Sequence, residues 1–133
     1  MASRLMGQIF GLLLVQAILA EGSTSSLWQL LTASLTTGKV YEVDTSTNTA
    51  TQRLSGLNRP LGMAVDGSTV YIAENVRQSD APLTPAIAIV DTATWTFTRQ
   101  AVTGSPYGIG AFTYAGVTYI VWSSSGEDLA QTK

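Results

Sequence analysis

A chain of 133 residues with 12% charged side chains and a formal net charge of −2 offers no basic stripe to neutralise nucleic-acid phosphates or to hold an anionic membrane surface. It holds no cysteine, which removes disulfides, thiolate nucleophiles, Cys-type zinc sites and iron–sulfur clusters. It holds no histidine either, which removes the commonest transition-metal ligand and every Ser-His-Asp arrangement, while a hard cation held by oxygens, calcium above all, stays chemically open.

Residues 1–20 read MASRLMGQIFGLLLVQAILA. One positive side chain, Arg4, precedes an apolar run broken only by Gln8 and Gln16, and the small residues Ala17 and Ala20 close it. That is the layout of a secretory signal peptide, with an uncleaved anchor helix or an ordinary packed helix as alternatives. The run is short beside the roughly 20 apolar residues of a transmembrane helix. The expectation is a hydrophobic N-terminal helix or leader over 1–20, a polar linker over 21–26, and export to the periplasm, cell surface or medium.

From residue 27 the pattern turns to short strands. SLWQLLTASL fits either a short helix or a strand. KVYEVD, at 39–44, alternates as a strand does, and the turn DTSTNT leads into ATQRL. Then LGMAV, TVYIAE, AIAIVD and TFTRQAV follow as four strands rich in β-branched or aromatic residues. They are divided by Asp66-Gly67, by a loop holding Pro82 and Pro85, and by Asp91-Thr92-Ala93-Thr94.

The chain also repeats itself. VYEVDTSTNTATQ aligns with IAIVDTATWTFTRQ, placing Asp44 on Asp91; RPLGMAV aligns with SPYGIGA, placing Pro60 on Pro106 and Gly62 on Gly108; TVYIAE aligns with VTYIVW, placing Tyr71 on Tyr119. A period in the mid-forties with four strands per unit is the pattern of a β-propeller blade. The stretches VYEVDTSTNTAT, RPLGMAVDGSTVYIAEN and AIAIVDTATWTFT resemble the YVTN/NHL-like repeats of propeller proteins, over about residues 38–123. The resemblance implies an all-β repeat domain over 27–133, with one complete blade at about 59–103 flanked by partial blades. The total is roughly two blades, whereas closed propellers have about four to eight. It implies an incomplete propeller, a fragment of a longer one, or copies closing a ring as a homo-oligomer, with a small sandwich-like sheet pair as the other outcome.

Asp44, Asp66 and Asp91 read as turn residues. Glu74-Asn75 is more open, since it ends a strand and enters the longest loop, NVRQSDAPLTP. In a propeller this loop and SGLNRP emerge on one face, so Asn58, Arg59, Glu74, Asn75, Arg77 and Asp80 are the candidate ligand-facing residues near the rim of the channel. The bland alternative is solvated loop residues pairing with each other. Oxygen ligands there suit calcium, as in gluconolactonase-like propellers. Trp28, Trp95 and Trp122 are the stacking candidates for a lectin-like glycan site, with Trp95 expected at the surface and Trp122 in the core. Gly108-Ile109-Gly110 lacks the third glycine and the following helix of a dinucleotide fingerprint. The serines of SSSGED have no base beside them. The sequence therefore points to an exported, non-catalytic binding or scaffolding protein, its partner a protein, a small molecule or a glycan. A calcium-dependent propeller hydrolase and a ring-forming lectin-like module are the alternatives.

Overall fold

The computed structural model of the protein describes residues 13–16, 29–76 and 80–125. Their regular elements are all strands: β1 (Leu13–Gln16), β2 (Gln29–Ser34), β3 (Lys39–Asp44), β4 (Thr49–Leu54), β5 (Pro60–Asp66), β6 (Thr69–Glu74), β7 (Ala86–Asp91), β8 (Thr96–Ala101), β9 (Ser105–Tyr114) and β10 (Val117–Ser125). They form three antiparallel sheets in chain order, β1-β2-β3-β4, β5-β6-β7-β8 and the hairpin β9-β10. Leu13–Gln16, within the stretch expected as a leader or helix, are extended and pair with β2. The ambiguous segment before Lys39 is a strand. The rest of 1–20, the linker at 21–26, Trp28 and Arg77 lie outside the described residues.

Local chemistry explains the turns. Asp44 Oδ1 accepts the backbone N–H of Ser46 at 2.8 Å, and Asp91 Oδ1 accepts that of Ala93 at 2.8 Å. Thr47 and Thr49 hydroxyls bond at 2.8 Å, as do those of Thr94 and Thr96. Asn48 and Trp95 hold the same left-handed backbone, φ 57° and 53°. The hairpin β9–β10 turns at Ala115-Gly116, both at positive φ, the type I′ pattern that matches strand twist.

The first two sheets meet over an apolar cluster of Ala33, Val40, Leu54, Leu57, Met63, Val70, Ile72, Ala88 and Val90, with Val65, Trp95 and Phe97 packed against it. Because side chains alternate, the other face of the second sheet, Gly62 and Ala64 on β5, turns toward β9. Asp66, on that face, accepts hydrogen bonds from the Thr113 and Thr118 hydroxyls. Gly62 permits the closest approach: a Cβ there would lie 2.5 Å from the Tyr107 carbonyl oxygen, a backbone atom that cannot step aside.

Two tests follow from this packing. Gly62→Ala is expected to lower stability by about 1–3 kcal/mol in urea denaturation, whereas Gly110→Ala, whose new Cβ meets only the flexible Val121 Cγ2 at 3.3 Å, costs less than that. Asp44 is held down from its ordinary value of 3.8 to about 2, first by the Ser46 hydroxyl, then by the Ser46 backbone N–H and by Thr47. A depressed carboxyl contributes stability above its unfolded pKa and loses it as pH falls through the folded one. The β3–β4 turn is therefore expected to loosen between about pH 4 and pH 2, read as faster amide exchange at Ser46 and Thr47.

Candidate functional site

The candidate residues collect where the chain leaves the first sheet, over 55–59, and where β6 ends. Five of the six are described, and the structure brings them together. It does not leave them all facing solvent. Glu74 is fully buried, and Asn75 is buried beside it.

Glu74 is occupied by protein groups. Arg99, on β8, donates Nε to Glu74 Oε2 at 2.7 Å and Nη2 to Oε1 at 2.9 Å, a two-pronged fork. The backbone N–H of Asn58 donates to Oε1 at 2.6 Å. Arg99 Nη2 also donates to the Gly56 carbonyl at 2.6 Å, and its guanidinium carbon lies 4.8 Å from the Phe97 ring centroid. The reach across β7 is open because its facing residues are small. Ala86 stands opposite Glu74 and Ala88 opposite Arg99, so the arginine stem crosses two alanines. The Arg99 side chain keeps 37% of its surface in water while Glu74 keeps none, so the carboxylate is the member that depends on its partner.

Asn75 holds the next sheet. Its backbone N–H donates to the Arg59 carbonyl at 3.1 Å, and its side-chain Nδ2 to the Pro106 carbonyl at 3.1 Å. Ser105 adds a hydroxyl bond to the Val76 carbonyl at 2.7 Å. The β6 end is thereby fastened to the start of both β5 and β9.

Arg59 differs from these. Its backbone is left-handed, φ 49°, which is uncommon for a long side chain. Its Nη1 lies 3.5 Å from Asp80 Oδ2, and both side chains are part-exposed. Its Nε is buried without a hydrogen-bond partner. Arg59 is the candidate with one donor, Nε, that the fold leaves unused.

Two tryptophans depart from expectation. Trp95 is half-buried against the core cluster, not at the surface, because Arg53 stacks over it at 5.6 Å while donating Nε to Glu42 at 2.6 Å. Trp122 is 41% exposed, not in the core, because the two-stranded third sheet leaves it uncovered. Sequence reasoning missed Arg99 altogether. The available signal was the pair of alanines, Ala86 and Ala88, between it and Glu74 on a strand whose other residues before Asp91 are Ile87, Ile89 and Val90.

Among the described residues no group of three or more acidic side chains could hold a metal. Both Glu74 oxygens carry charge-assisted bonds, so an oxygen-coordinated cation at this place would have to displace Arg99. No protein-family model matches the chain, and no curated protein matches it.

Arg99→Met leaves a buried carboxylate without its cation and is expected to cost about 3 kcal/mol, the low end for a broken buried pair because the arginine is part-exposed. The double variant Glu74→Met with Arg99→Met should recover most of that loss, measured as a double-mutant cycle in urea.

Proposed function

We propose that the chain builds successive propeller-type blades that bind a ligand or partner and carry out no chemistry on it, in an exported protein. Support for the blades comes from the shared turn hydrogen bonds of β3–β4 and β7–β8, from the meander order of the four-stranded sheets, and from the face-to-face packing of one sheet on the next. Export rests on the charge and apolar pattern of residues 1–20.

The observation that carries the binding role is the part-exposed Arg59 side chain, whose Nε has no hydrogen-bond partner. Of the described candidates, Glu74 and Asn75 are spent on holding sheets together, and Asp80 faces Arg59. What remains at this end of the sheets is a planar, permanently charged donor at the mouth of β5. Such a group suits a carboxylate or a carbonyl oxygen on a small molecule, a peptide or a uronic-acid sugar. It positions and neutralises; it is not a nucleophile or a base at neutral pH.

Acetate serves as the minimal probe. In a titration followed by NMR, the Arg59 Nε–H resonance is expected to shift with saturation, while those of Arg53 and Arg99, whose Nε atoms already donate to carboxylates, stay fixed. Equal movement at all three, or none at Arg59, would remove the binding assignment. Calcium is expected to leave the melting temperature unchanged, and a saturable rise would favour the hydrolase-type site instead.

A further inference from the structure

One junction in the chain joins an aspartate directly to a glycine: Asp66-Gly67, where β5 turns into β6. The other aspartates and the asparagines of the sequence precede Thr, Ala, Leu, Arg or Val. An aspartate before glycine is the pair most prone to closing on itself, because glycine has no Cβ to hinder attack by its main-chain nitrogen. The junction meets water. Gly67 and Ser68 are exposed, and a Cβ placed on Gly67, at φ 59°, would meet nothing within 4 Å.

The carboxylate at this junction is held from another sheet. Thr113 on β9 and Thr118 on β10 are register partners with their hydroxyl oxygens 2.9 Å apart. Both donate to Asp66 Oδ2, that of Thr118 at 3.0 Å. The main chain is held as well, since Asp66 is the last residue of β5 to pair with β6, opposite Thr69. A paired strand keeps ψ near about +135°, which turns the Gly67 nitrogen away from the Asp66 side chain. Ring closure therefore needs two releases, of the end of the ladder and of the carboxylate.

We propose that Asp66-Gly67 is a site of spontaneous aspartate isomerisation, held in check by the two threonines of the third sheet. In the first step the Gly67 nitrogen attacks Asp66 Cγ. The Cγ–N bond forms and one carboxyl oxygen leaves as water, with the amide proton and one proton from solvent. A water molecule then opens the five-membered imide at either carbonyl. Opening at the original main-chain carbonyl gives isoaspartate, in which the chain runs through Cβ and Cγ. No oxidant, reductant or partner takes part, and the product has the mass of the starting chain. The extra main-chain carbon moves the carboxylate off Thr113 and Thr118 and ends the pairing of Asp66 with Thr69. Docking of the third sheet thus governs the chemistry of the turn, and the product of that chemistry undoes the docking.

The test incubates the full chain at neutral pH in water enriched in heavy oxygen, and reads isoaspartate at residue 66 by peptide mapping and label uptake. The native wild type is expected to be slowest and the same chain unfolded in urea fastest. Thr113→Val with Thr118→Val removes both hydroxyls and should raise the native rate about fivefold or more. Thr113→Ser with Thr118→Ser returns the hydroxyls and should restore the slow rate. If the valine pair loses its far-UV spectrum, Thr118→Val alone carries the comparison, with a smaller rise expected. Equal rates in the wild type and the valine variant, with a fast unfolded chain, overturn control by the third sheet. An unfolded chain without isoaspartate at residue 66 overturns the site itself.

Discussion

The fold turns on one buried carboxylate. Glu74 ends β6 with no surface in water, a position that costs several kcal/mol for a charge unless it is paired and hydrogen-bonded. Arg99 meets it with a fork from β8, and Asn58 meets it with a backbone N–H from the segment entering β5. Arg99 then reaches the Gly56 carbonyl in the same segment. One ion pair therefore joins the middle and the edge of the second sheet to the chain arriving from the first, and it sets the path of residues 56–59. The left-handed backbone at Arg59, and with it the placing of the buried Nε, follows directly after that tie.

Stacking sheet on sheet then depends on small residues at the contacts. Ala33 and Ala88 let the first two sheets approach, and Gly62 lets β9 lie against β5. Polar ties sit around these contacts: Asp66 with two threonine hydroxyls, Asn75 with the Pro106 carbonyl, and Ser105 with the Val76 carbonyl. Each is expected to be worth about 0.5–1.5 kcal/mol, and their value lies mainly in fixing register between sheets that apolar packing alone would let slide. The proposed binding role falls where the chain passes from the first sheet to the second, at Arg59, whose Nε has no hydrogen-bond partner.

The strands and turns were legible in the sequence because their causes are local. Alternation marks KVYEVD and TVYIAE, and Asp followed directly by Thr, its carboxylate accepting the N–H two residues on, marks the tight turns. The grouping of Asn58, Arg59, Glu74, Asn75 and Asp80 was legible as well, since it follows from which loops share an end of the sheets. The division of labour among them was not. Arg99 lies 25 residues from Glu74 on a strand that reads as a solvent-facing edge, and only the pairing through Ala86 and Ala88 shows that its side chain crosses inward. Trp95 was hidden for a similar reason, because its cover is Arg53 from another sheet. Leu13–Gln16 are extended where a helix was among the expectations, because an apolar run of that length has no period that separates strand from helix.

Amide exchange at Asn58 tests the central claim most directly. Asn58 lies in a connection outside any strand, so its N–H has no ladder partner and owes its bond to Glu74 alone. The buried ion pair predicts that this amide exchanges as slowly as those of the central strand β6. Exchange at the rate of an open surface loop would mean that Glu74 is not held there, and that the tie between the first and second sheets is not the interaction on which the fold depends.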